Sequence, residues 1–350
     1  MKVTVLGGAG YLGSAIASYL ARAGHTVRAV DNFMYGHRWS DEMCCGDIEL
    51  IRADYRCKDT LTEVLRGADA CVHMGGLVGE PACQVDVDLA VELTYTSVIG
   101  AAQVVDELHI PVFVAASTCS VYGAETAVVD ETSTPSPLGV YAATKIGIER
   151  VVGSILSGRT AYAFPRFGTA FGISHRPRLD TAVNLMSARA AAGIALEVRG
   201  GAQWRPFVHV LDVARSVELL MSAGYVGPIN VGSDEDNLTI AELAMRIGAE
   251  VPDATVRFGD PADGEDLRSY RVDFQRLAEL GYRKTRTVEQ GISEVVHAVR
   301  SGAITDIEND AYSNIRSLRR VIASGGVTQD QSIWMNEIAA AYPLQVLDHA

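Results

Sequence analysis

A tyrosine and a lysine stand four positions apart in a segment with helical patterning. Tyr141 and Lys145 therefore share one face of the predicted helix. A nearby ammonium stabilises a phenolate and lowers the tyrosine pKa, which would let Tyr141 take a proton from a substrate hydroxyl near neutral pH. Because the chain has 13 tyrosines, a Tyr and a Lys at this spacing also occur by chance. The catalytic interpretation therefore depends on where the pair lies in the fold.

Hydroxyl and thiol groups precede this pair at the end of a predicted strand. Ser117, Thr118 and Cys119 follow the apolar run 112–116. Ligands of open α/β sheets bind at the carboxyl ends of strands, so we expect Ser117 or Thr118 to hydrogen-bond the substrate oxygen that Tyr141 deprotonates. Cys119 has two interpretations: an acid or base whose pKa a cation lowers, or a buried and inert thiol.

Three glycines near the N-terminus have the spacing of a phosphate-binding loop. Gly7, Gly10 and Gly13 follow the first predicted strand and open the first predicted helix. Glycine allows a tight turn and lets a diphosphate approach the helix N-terminus, whose N–H groups and dipole favour an anion. The intervening Tyr11 and Leu12 are assigned to the same predicted cofactor site.

A carboxylate at the end of the second predicted strand completes a dinucleotide site. Asp31 lies 18 residues after Gly13, where it can hydrogen-bond both ribose hydroxyls of NAD. It repels the 2′-phosphate of NADP, and no Arg or Lys follows before Arg38, so NAD is the predicted cofactor. Further residues assigned to this site are Asn32, Asp54, Tyr55, Met74 and Gly75. Asp54 has a second interpretation as a solvated loop carboxylate.

The elements that must position these residues alternate as βαβ units. Predicted strands are the β-branched runs at residues 3–6, 26–30, 48–53, 70–74, 112–116 and 161–164. Predicted helices between them lie near residues 11–23, 58–66, 86–108 and 141–156. This alternation predicts the α/β class with a Rossmann-type doubly wound parallel sheet. Beyond about residue 166 the alternation is lost, which predicts a smaller mixed α/β substrate lobe.

The same pattern divides the chain into three predicted parts. Residues 1–165 form the NAD-binding Rossmann domain, residues 166–300 form the substrate-binding lobe, and residues 301–350 form a helical extension. The lobe can share helices with the first domain, and a cleft between the two is the expected ligand site. The extension is predicted to form one or two terminal helices that pack on the core or on a second subunit.

Composition excludes several other classes of protein. The chain has 350 residues with 30 Lys and Arg against 43 Asp and Glu, a net charge of −13. This balance argues against a nucleic-acid partner, and 48% apolar residues with 21% charged indicate a globular protein. Apolar runs fall short of the roughly 18 residues a membrane span needs. The start of the chain lacks a signal-peptide pattern.

The six cysteines lack a C-x-x-C pair and zinc-ligand spacing, so they are expected to be reduced thiols, and no metal site is predicted. A cytoplasmic location and the absence of a membrane partner are therefore expected.

The order of these motifs resembles the extended short-chain dehydrogenase/reductase family, in particular its NAD-dependent sugar epimerase/dehydratase branch. The resemblance extends from residue 1 to about residue 300. It implies catalytic roles for Thr118, Tyr141 and Lys145, and a tightly bound NAD that takes a hydride from a sugar, usually at C4. It also implies a homodimer.

Landmarks of this family in the second half imply contacts with the diphosphate of a nucleotide sugar. Asn184 and Leu185 resemble its Asn-Leu pair, and Arg205 resembles its phosphate-binding arginine. Arg268 or Arg271 is implied as a further phosphate ligand, since a guanidinium binds phosphate through two hydrogen bonds. The arginine-rich composition also leaves each of them open as an ordinary surface residue.

The chain departs from the family pattern where substrate chemistry is decided. Family 4,6-dehydratases carry Asp-Glu where this chain has Cys119 and Ser120, and decarboxylases usually carry a Glu there. The Ser-Thr-Cys run resembles that of sugar-nucleotide 5,6-dehydratases, although those have a Glu at position 120. Thr94 stands in place of a helix Asn, and Thr169 in place of a substrate-contacting Asn.

The expected function is that of an NAD-dependent nucleotide-sugar epimerase that acts through transient oxidation of a sugar hydroxyl to a ketone. One alternative is a sugar-nucleotide or nucleoside dehydratase in which Cys119 assists proton transfer. Another, from a different class, is a non-catalytic NAD-sensing protein.

Overall fold

The computed structural model describes residues 1–36, 47–260, 268–330 and 332–344. Arg38, Cys44 and Cys45 lie outside these residues. The strands are β1 (Lys2–Leu6), β2 (Thr26–Asp31), β3 (Ile48–Arg52), β4 (Ala70–His73), β5 (Val112–Ala115), β6 (Ser117–Thr118), β7 (Ala124–Val129), β8 (Ala161–Phe167), β9 (Thr169–Phe171), β10 (Leu196–Arg199), β11 (Trp204–His209), β12 (Gly227–Val231), β13 (Asn237–Thr239), β14 (Val256–Gly259) and β15 (Ser269–Val272).

Helices connect these strands and follow the last of them. They are α1 (Tyr11–Arg22), α2 (Lys58–Leu65), α3 (Glu80–Cys83), α4 (Val87–Val91), α5 (Ser97–Glu107), α6 (Val140–Ile155), α7 (Ala182–Ala191), α8 (Val210–Ala223), α9 (Ile240–Glu250), α10 (Gln275–Glu279), α11 (Val288–Arg300), α12 (Asn314–Ala323) and α13 (Ile333–Ala341).

The principal layer is a parallel sheet in the order β12-β8-β5-β4-β1-β2-β3, with β6 paired to β8. The strand order reverses between β1 and β4, which is where open α/β sheets bind ligands. Apolar residues of α1 and α8 cover one face, and those of α2, α5 and α6 cover the other. The predicted doubly wound α/β class is therefore confirmed.

This sheet extends beyond the boundary predicted at residue 165. Strand β8 continues to Phe167, and α8 and β12, from residues 210–231, return to the first layer. Helix α8 packs along α1 because both present aliphatic side chains, such as Ile16 and Val217, to the same core. Local sequence pattern cannot reveal this return, because the pairing of β12 with β8 joins segments far apart in the chain.

The second lobe is a smaller mixed arrangement, as predicted. Strand β11 pairs antiparallel with β13 and parallel with β9, while β10 pairs with β14 and β7 with β15. Helices α7, α9 and α11 pack around a core that includes Phe171, Phe207 and Leu243.

The single helix predicted over residues 86–108 is divided in the structure. A π-helical turn over Glu92–Thr96 separates α4 from α5. Within it, the Thr94 hydroxyl accepts from the Leu77 amide at 3.1 Å and donates to the Leu77 carbonyl at 3.2 Å. These bonds hold the loop after β4 against the helix, a tertiary contact that helical periodicity does not encode.

The C-terminal segment forms two helices that pack on this chain. Helix α13 lies on α5, where the ring of Trp334 and the side chain of Ile338 approach Gly100 so closely that a Cβ there would overlap them. Helix α12 packs against α3. Among the described residues, no helix is long and apolar enough to cross a membrane. The four cysteines that the structure describes are free thiols.

Candidate active site

A cavity of about 530 Å³ opens at the carboxyl ends of the parallel strands, between the main sheet and the second lobe. It brings together most residues that the sequence predicts for cofactor, catalysis and substrate. Those on its wall are Gly7, Gly10, Tyr11, Leu12, Gly13, Asp31, Asn32, Tyr55, Met74, Gly75, Ser117, Thr118, Tyr141, Lys145, Thr169, Arg205 and Arg268.

The glycine loop lies against the end of β4 with no space for side chains. Gly7 has φ +76°, and a Cβ on it would overlap the backbone of Gly75. A Cβ on Gly13 would overlap the Gly7 carbonyl. The first turn of α1, which begins at Tyr11, therefore faces the cavity with backbone N–H groups that a helix leaves unpaired. This cradle fits a diphosphate.

Asp31 holds its carboxylate at the end of β2, beside the glycine loop. One oxygen accepts from the Ala9 amide at 3.1 Å and the other from the Phe33 amide at 2.8 Å. The next residue, Asn32, accepts from the Met34 amide at 3.0 Å, which fixes the turn that follows. A carboxylate fixed in this way suits the ribose hydroxyls of a dinucleotide.

Tyr141 and Lys145 project from the first turns of α6 into the same cavity. The Lys145 Nζ lies 5.9 Å from the centre of the Tyr141 ring. Burial lowers the pKa of Lys145 to about 8. Burial also raises the pKa of Tyr141 above its ordinary value, opposed by a hydrogen bond with Thr118. Desolvation of the phenolate is therefore the largest influence on the pKa of Tyr141, and the lowering expected from Lys145 stays a prediction.

The N-terminus of α6 is held by a glutamate from another element. The Glu80 carboxylate of α3 accepts from the backbone amides of Val140 at 2.8 Å and Tyr141 at 3.1 Å. The residue before the helix is Gly139, which has no side chain to cap it. Glu80 therefore caps the helix from outside it and fixes the backbone of Tyr141. Sequence reasoning missed it because the two segments are about 60 positions apart.

The two hydroxyls of the Ser-Thr pair have different surroundings. Ser117 donates to Oε1 of Glu149 at 2.5 Å, and Glu149 forms a buried ion pair with Arg166 at 2.6 Å. Its hydroxyl is thus engaged in a network that ties β6, α6 and β8 together. The Thr118 hydroxyl accepts from the Ser120 amide at 3.1 Å and lies close enough to the Tyr141 hydroxyl to lower its pKa. Of the two, Thr118 is the one whose hydroxyl meets the tyrosine.

Cys119 does not line the cavity. Its side chain is 1% exposed, and its thiol donates to the Arg166 carbonyl at 3.0 Å. Burial raises the pKa of this thiol, with the nearby Arg166 only partly opposing the effect. The structure thus favours the inert thiol of the two predicted interpretations, because the strand ends just before Cys119 and turns it into the core.

Asp54 is also absent from the cavity wall. Its carboxylate pairs with the Arg56 guanidinium at 2.6 Å, and this pairing holds the pKa of Asp54 below its usual range. This ion pair fixes the carboxylate beside the site, and the predicted contact of Asp54 with the cofactor stays a prediction.

Three of the second-lobe residues predicted to bind the diphosphate also lie off the cavity wall, namely Asn184, Leu185 and Arg271. Asn184 is fully buried. Its side-chain amide accepts from the Gly172 N–H at 2.9 Å and donates to the Arg178 carbonyl at 2.8 Å. Leu185 follows it on α7, outside the cavity wall. Arg271 lies over the ring of Trp204 at 5.2 Å, because alternation along β15 turns it away from Tyr270.

Arginines gather at the end of the cavity formed by the second lobe. Arg205 and Arg268 line it as predicted, together with Arg199, which the sequence analysis did not select. The Arg205 guanidinium donates to the Trp204 carbonyl at 2.8 Å and lies 5.7 Å from the centre of the Tyr270 ring. Such a group of guanidinium groups suits a phosphate ligand.

Two further arginines of the wall were missed by sequence reasoning. Arg176 and Arg178 lie in the loop between β9 and α7, and Asp180 of the same loop accepts from Arg178 Nε at 2.5 Å. The Arg-Pro-Arg run after a strand end was the available signal. Asn314, also on the wall, comes from α12 and carried no signal in the sequence.

Comparison with known proteins agrees with this geometry. A sequence profile described as the NAD dependent epimerase/dehydratase family matches residues 3–232. The chain belongs to this family. NAD is therefore its cofactor, and the glycine cradle and Asp31 fit that molecule.

Relatives of this epimerase/dehydratase differ in their reactions. The chain is similar to the UDP-glucose 4-epimerase of Rhizobium leguminosarum bv. trifolii, with 31% identity over 69% of this chain and 79% of the relative. It is also similar to a dTDP-glucose 4,6-dehydratase of Actinoplanes sp., with 27% identity over 85% of this chain and 97% of the relative. In fold it resembles the UDP-glucose 4-epimerase of Thermus thermophilus, with a TM-score of 0.76, 24% identity and coverage of 87% and 100%.

Proposed function

We propose that this epimerase/dehydratase is an NAD-dependent nucleotide-sugar epimerase. The observation that carries the proposal is the meeting of Thr118, Tyr141 and Lys145 in one cavity with the glycine loop and a group of arginines. These three side chains share the cavity with the glycine loop, which suits a dinucleotide, and with the arginines of the second lobe, which suit a phosphate ester. A homodimer remains an expectation from the family resemblance, and a cytoplasmic location remains an expectation from the sequence.

The proposed chemistry is a reversible oxidation at one sugar carbon. NAD, when bound, supplies the acceptor and donor of a hydride. Tyr141 takes the proton of the substrate hydroxyl and returns it, while Thr118 hydrogen-bonds the same oxygen. The Lys145 ammonium stabilises the phenolate formed on Tyr141, whose pKa burial would otherwise hold too high for this exchange.

The substrate class follows from the charge of the second-lobe end. Arg199, Arg205 and Arg268 line it and would bind the diphosphate of a nucleotide sugar. This positive end is local, since the chain as a whole has a net charge of −13.

Dehydration of a nucleotide sugar is the second candidate, and the dehydratase among the relatives motivates it. The route through Cys119 lacks support, because this thiol is buried beside the Arg166 carbonyl and outside the cavity. Ser120 lines the cavity, and its hydroxyl lies 3.2 Å from the Tyr270 hydroxyl. A serine hydroxyl is a much weaker base than the glutamate carboxylate that dehydratases carry at this position. Mass spectrometry distinguishes the two, since dehydration loses one water and epimerisation conserves mass.

The replacement Tyr141→Phe tests the proposal. Removing the phenolic oxygen should lower kcat on the true nucleotide sugar at least about 100-fold, the size expected for a general acid–base group. NAD bound to the purified protein, measured by mass spectrometry after denaturation, should be unchanged. Tyr225→Phe is the matched control, because its hydroxyl donates to the Pro228 carbonyl outside the cavity wall. Full turnover by Tyr141→Phe would refute the assignment of Tyr141, whereas no turnover of any nucleotide sugar by the wild-type protein would favour the NAD-sensing alternative.

A further inference from the structure

Arg176 is a buried cation on the cavity wall with an unused donor. Its side chain is 4% exposed, and its guanidinium lies 4.5 Å from the centre of the Tyr35 ring. Nη1 donates to Oδ1 of Asn314 at 2.5 Å, and Nη2 to the Ala311 carbonyl at 3.5 Å. Within the described segments, its buried Nε has no hydrogen-bond partner. A buried N–H without an acceptor is costly, which points to a ligand acceptor at this place.

The neighbours of Arg176 locate it along the cavity. Burial lowers its pKa to about 10, and the groups that act on it electrostatically are Tyr35, Arg178, Asp180 and Asp31. Arg178 in turn is influenced by the hydroxyls of Tyr11 and Tyr141. Arg176 lies against Tyr35, in the turn after the Asp31 carboxylate suited to the adenosine ribose, on the same wall as the glycine loop and Tyr141. The diphosphate occupies the middle of a dinucleotide, so it is the anion nearest to this position.

The C-terminal segment holds Arg176 in place. Asn314 begins α12, and its backbone amide donates to Oδ2 of Asp180 at 2.6 Å. Leu318 of the same helix packs in one apolar cluster with Tyr35 and Tyr141. The helix therefore covers the cavity from outside the family match, which ends at residue 232.

We propose that Arg176 binds the diphosphate of NAD and that α12, through Asn314, holds it there so that the cofactor is retained between turnovers. A guanidinium on the same cavity wall as the N-terminus of α1 would give the diphosphate a second positive partner. This inference rests on the NAD dependence of the family and goes beyond the proposed epimerase function.

The experiment measures how fast bound NAD exchanges from full-length protein against excess isotopically labelled NAD, by mass spectrometry. Arg176→Gln removes the charge and should accelerate exchange roughly 10- to 100-fold, the range of a hydrogen bond to a charged group. It should weaken binding of ADP-ribose to NAD-free protein by a similar factor and leave adenosine binding unchanged. Arg319→Gln, on the exposed face of α12, is the matched control and should exchange like wild type.

A second variant separates ligand binding from folding. Asn314→Ala keeps Arg176 but removes its acceptor, and should accelerate exchange about 3- to 10-fold. Unchanged NAD exchange in both variants, with lowered melting temperatures, would overturn the proposal and leave Arg176 a purely structural contact. Weaker binding of NADP alone would overturn it as well, since Arg176 would then recognise a 2′-phosphate. Because exchange is measured without sugar, failure of the epimerase proposal leaves this result unaffected.

Discussion

At the scale of single residues, burial controls the candidate chemistry. Lys145 is 3% exposed and its pKa is lowered to about 8, while the pKa of Tyr141 is raised. Both shifts have one cause, since a low-dielectric cavity penalises whichever form carries charge. The pair should therefore work best at a pH that does not exceed the pKa of Lys145, where the lysine still holds its proton.

This pKa predicts an alkaline limit on the reaction. Below a pH of about 8 the Lys145 ammonium is present, and above it the proton is lost and the phenolate of Tyr141 loses its partner. We expect kcat/KM to fall on the alkaline side with an apparent pKa near this value. The Lys145→Arg variant keeps a positive charge at every accessible pH. Its kcat/KM should therefore have a lower maximum and should not fall on the alkaline side. An identical alkaline limb in the arginine variant would contradict the assignment.

The buried position of Cys119 predicts an inert thiol. Cys119→Ala should leave kcat within about twofold of wild type and the product unchanged, since the side chain lies outside the cavity. The substitution should lower the free energy of unfolding by about 1 kcal/mol, because it removes volume from a packed core. Cys71→Ala, buried in β4, is the matched control. A tenfold loss of turnover specific to Cys119→Ala would return the thiol to the mechanism.

At the scale of elements, the carboxyl ends of the strands and the first turns of α1 and α6 meet around one cavity. Each helix start is fixed by a different device: α1 by glycines that admit close backbone contact, and α6 by the distant carboxylate of Glu80. The second device directly determines where Tyr141 stands.

Glu80 is therefore predicted to be a positioning residue. Glu80→Ala should cost about 1 kcal/mol of stability, as for a lost helix cap. It should also lower kcat about tenfold with KM within about twofold, because a small displacement of Tyr141 misaligns proton transfer. Glu80→Gln retains an acceptor oxygen and should recover part of kcat. Thr287→Ala removes the cap of α11 away from the cavity. An equal fall in kcat in this control would reduce Glu80 to a stability role.

At the scale of the whole molecule, the chain leaves the first layer after β8 and returns with α8 and β12. Strand β11, immediately before α8, belongs to the second lobe. One continuous segment thus serves both cores, and the C-terminal helices bind the outer surface of the first. Such interlacing couples the lobes more strongly than a simple linker would.

This coupling predicts a single unfolding transition. Calorimetry should give one endotherm with equal calorimetric and van't Hoff enthalpies. NAD at about 100 times its Kd should stabilise the protein by about 2.7 kcal/mol and move the whole transition upward. Two resolved transitions, of which NAD shifts only one, would mean that the lobes unfold independently.

The sequence alone determined those features that depend on residues close together in the chain. The βαβ alternation, the glycine loop with Asp31, and Tyr141 with Lys145 are local patterns, because helix and strand periods and turn chemistry act over a few residues. They predicted the fold class, the cofactor and the family, which the topology and the comparisons confirm.

Only the tertiary structure decided features that join distant segments. These include the cap of Glu80 on α6, the burial of Cys119 beside Arg166, the return of β12 to the main sheet and the approach of Asn314 to Arg176. Each depends on which surfaces pack together, and packing is a balance of burial and chain entropy over the whole molecule that no local pattern records.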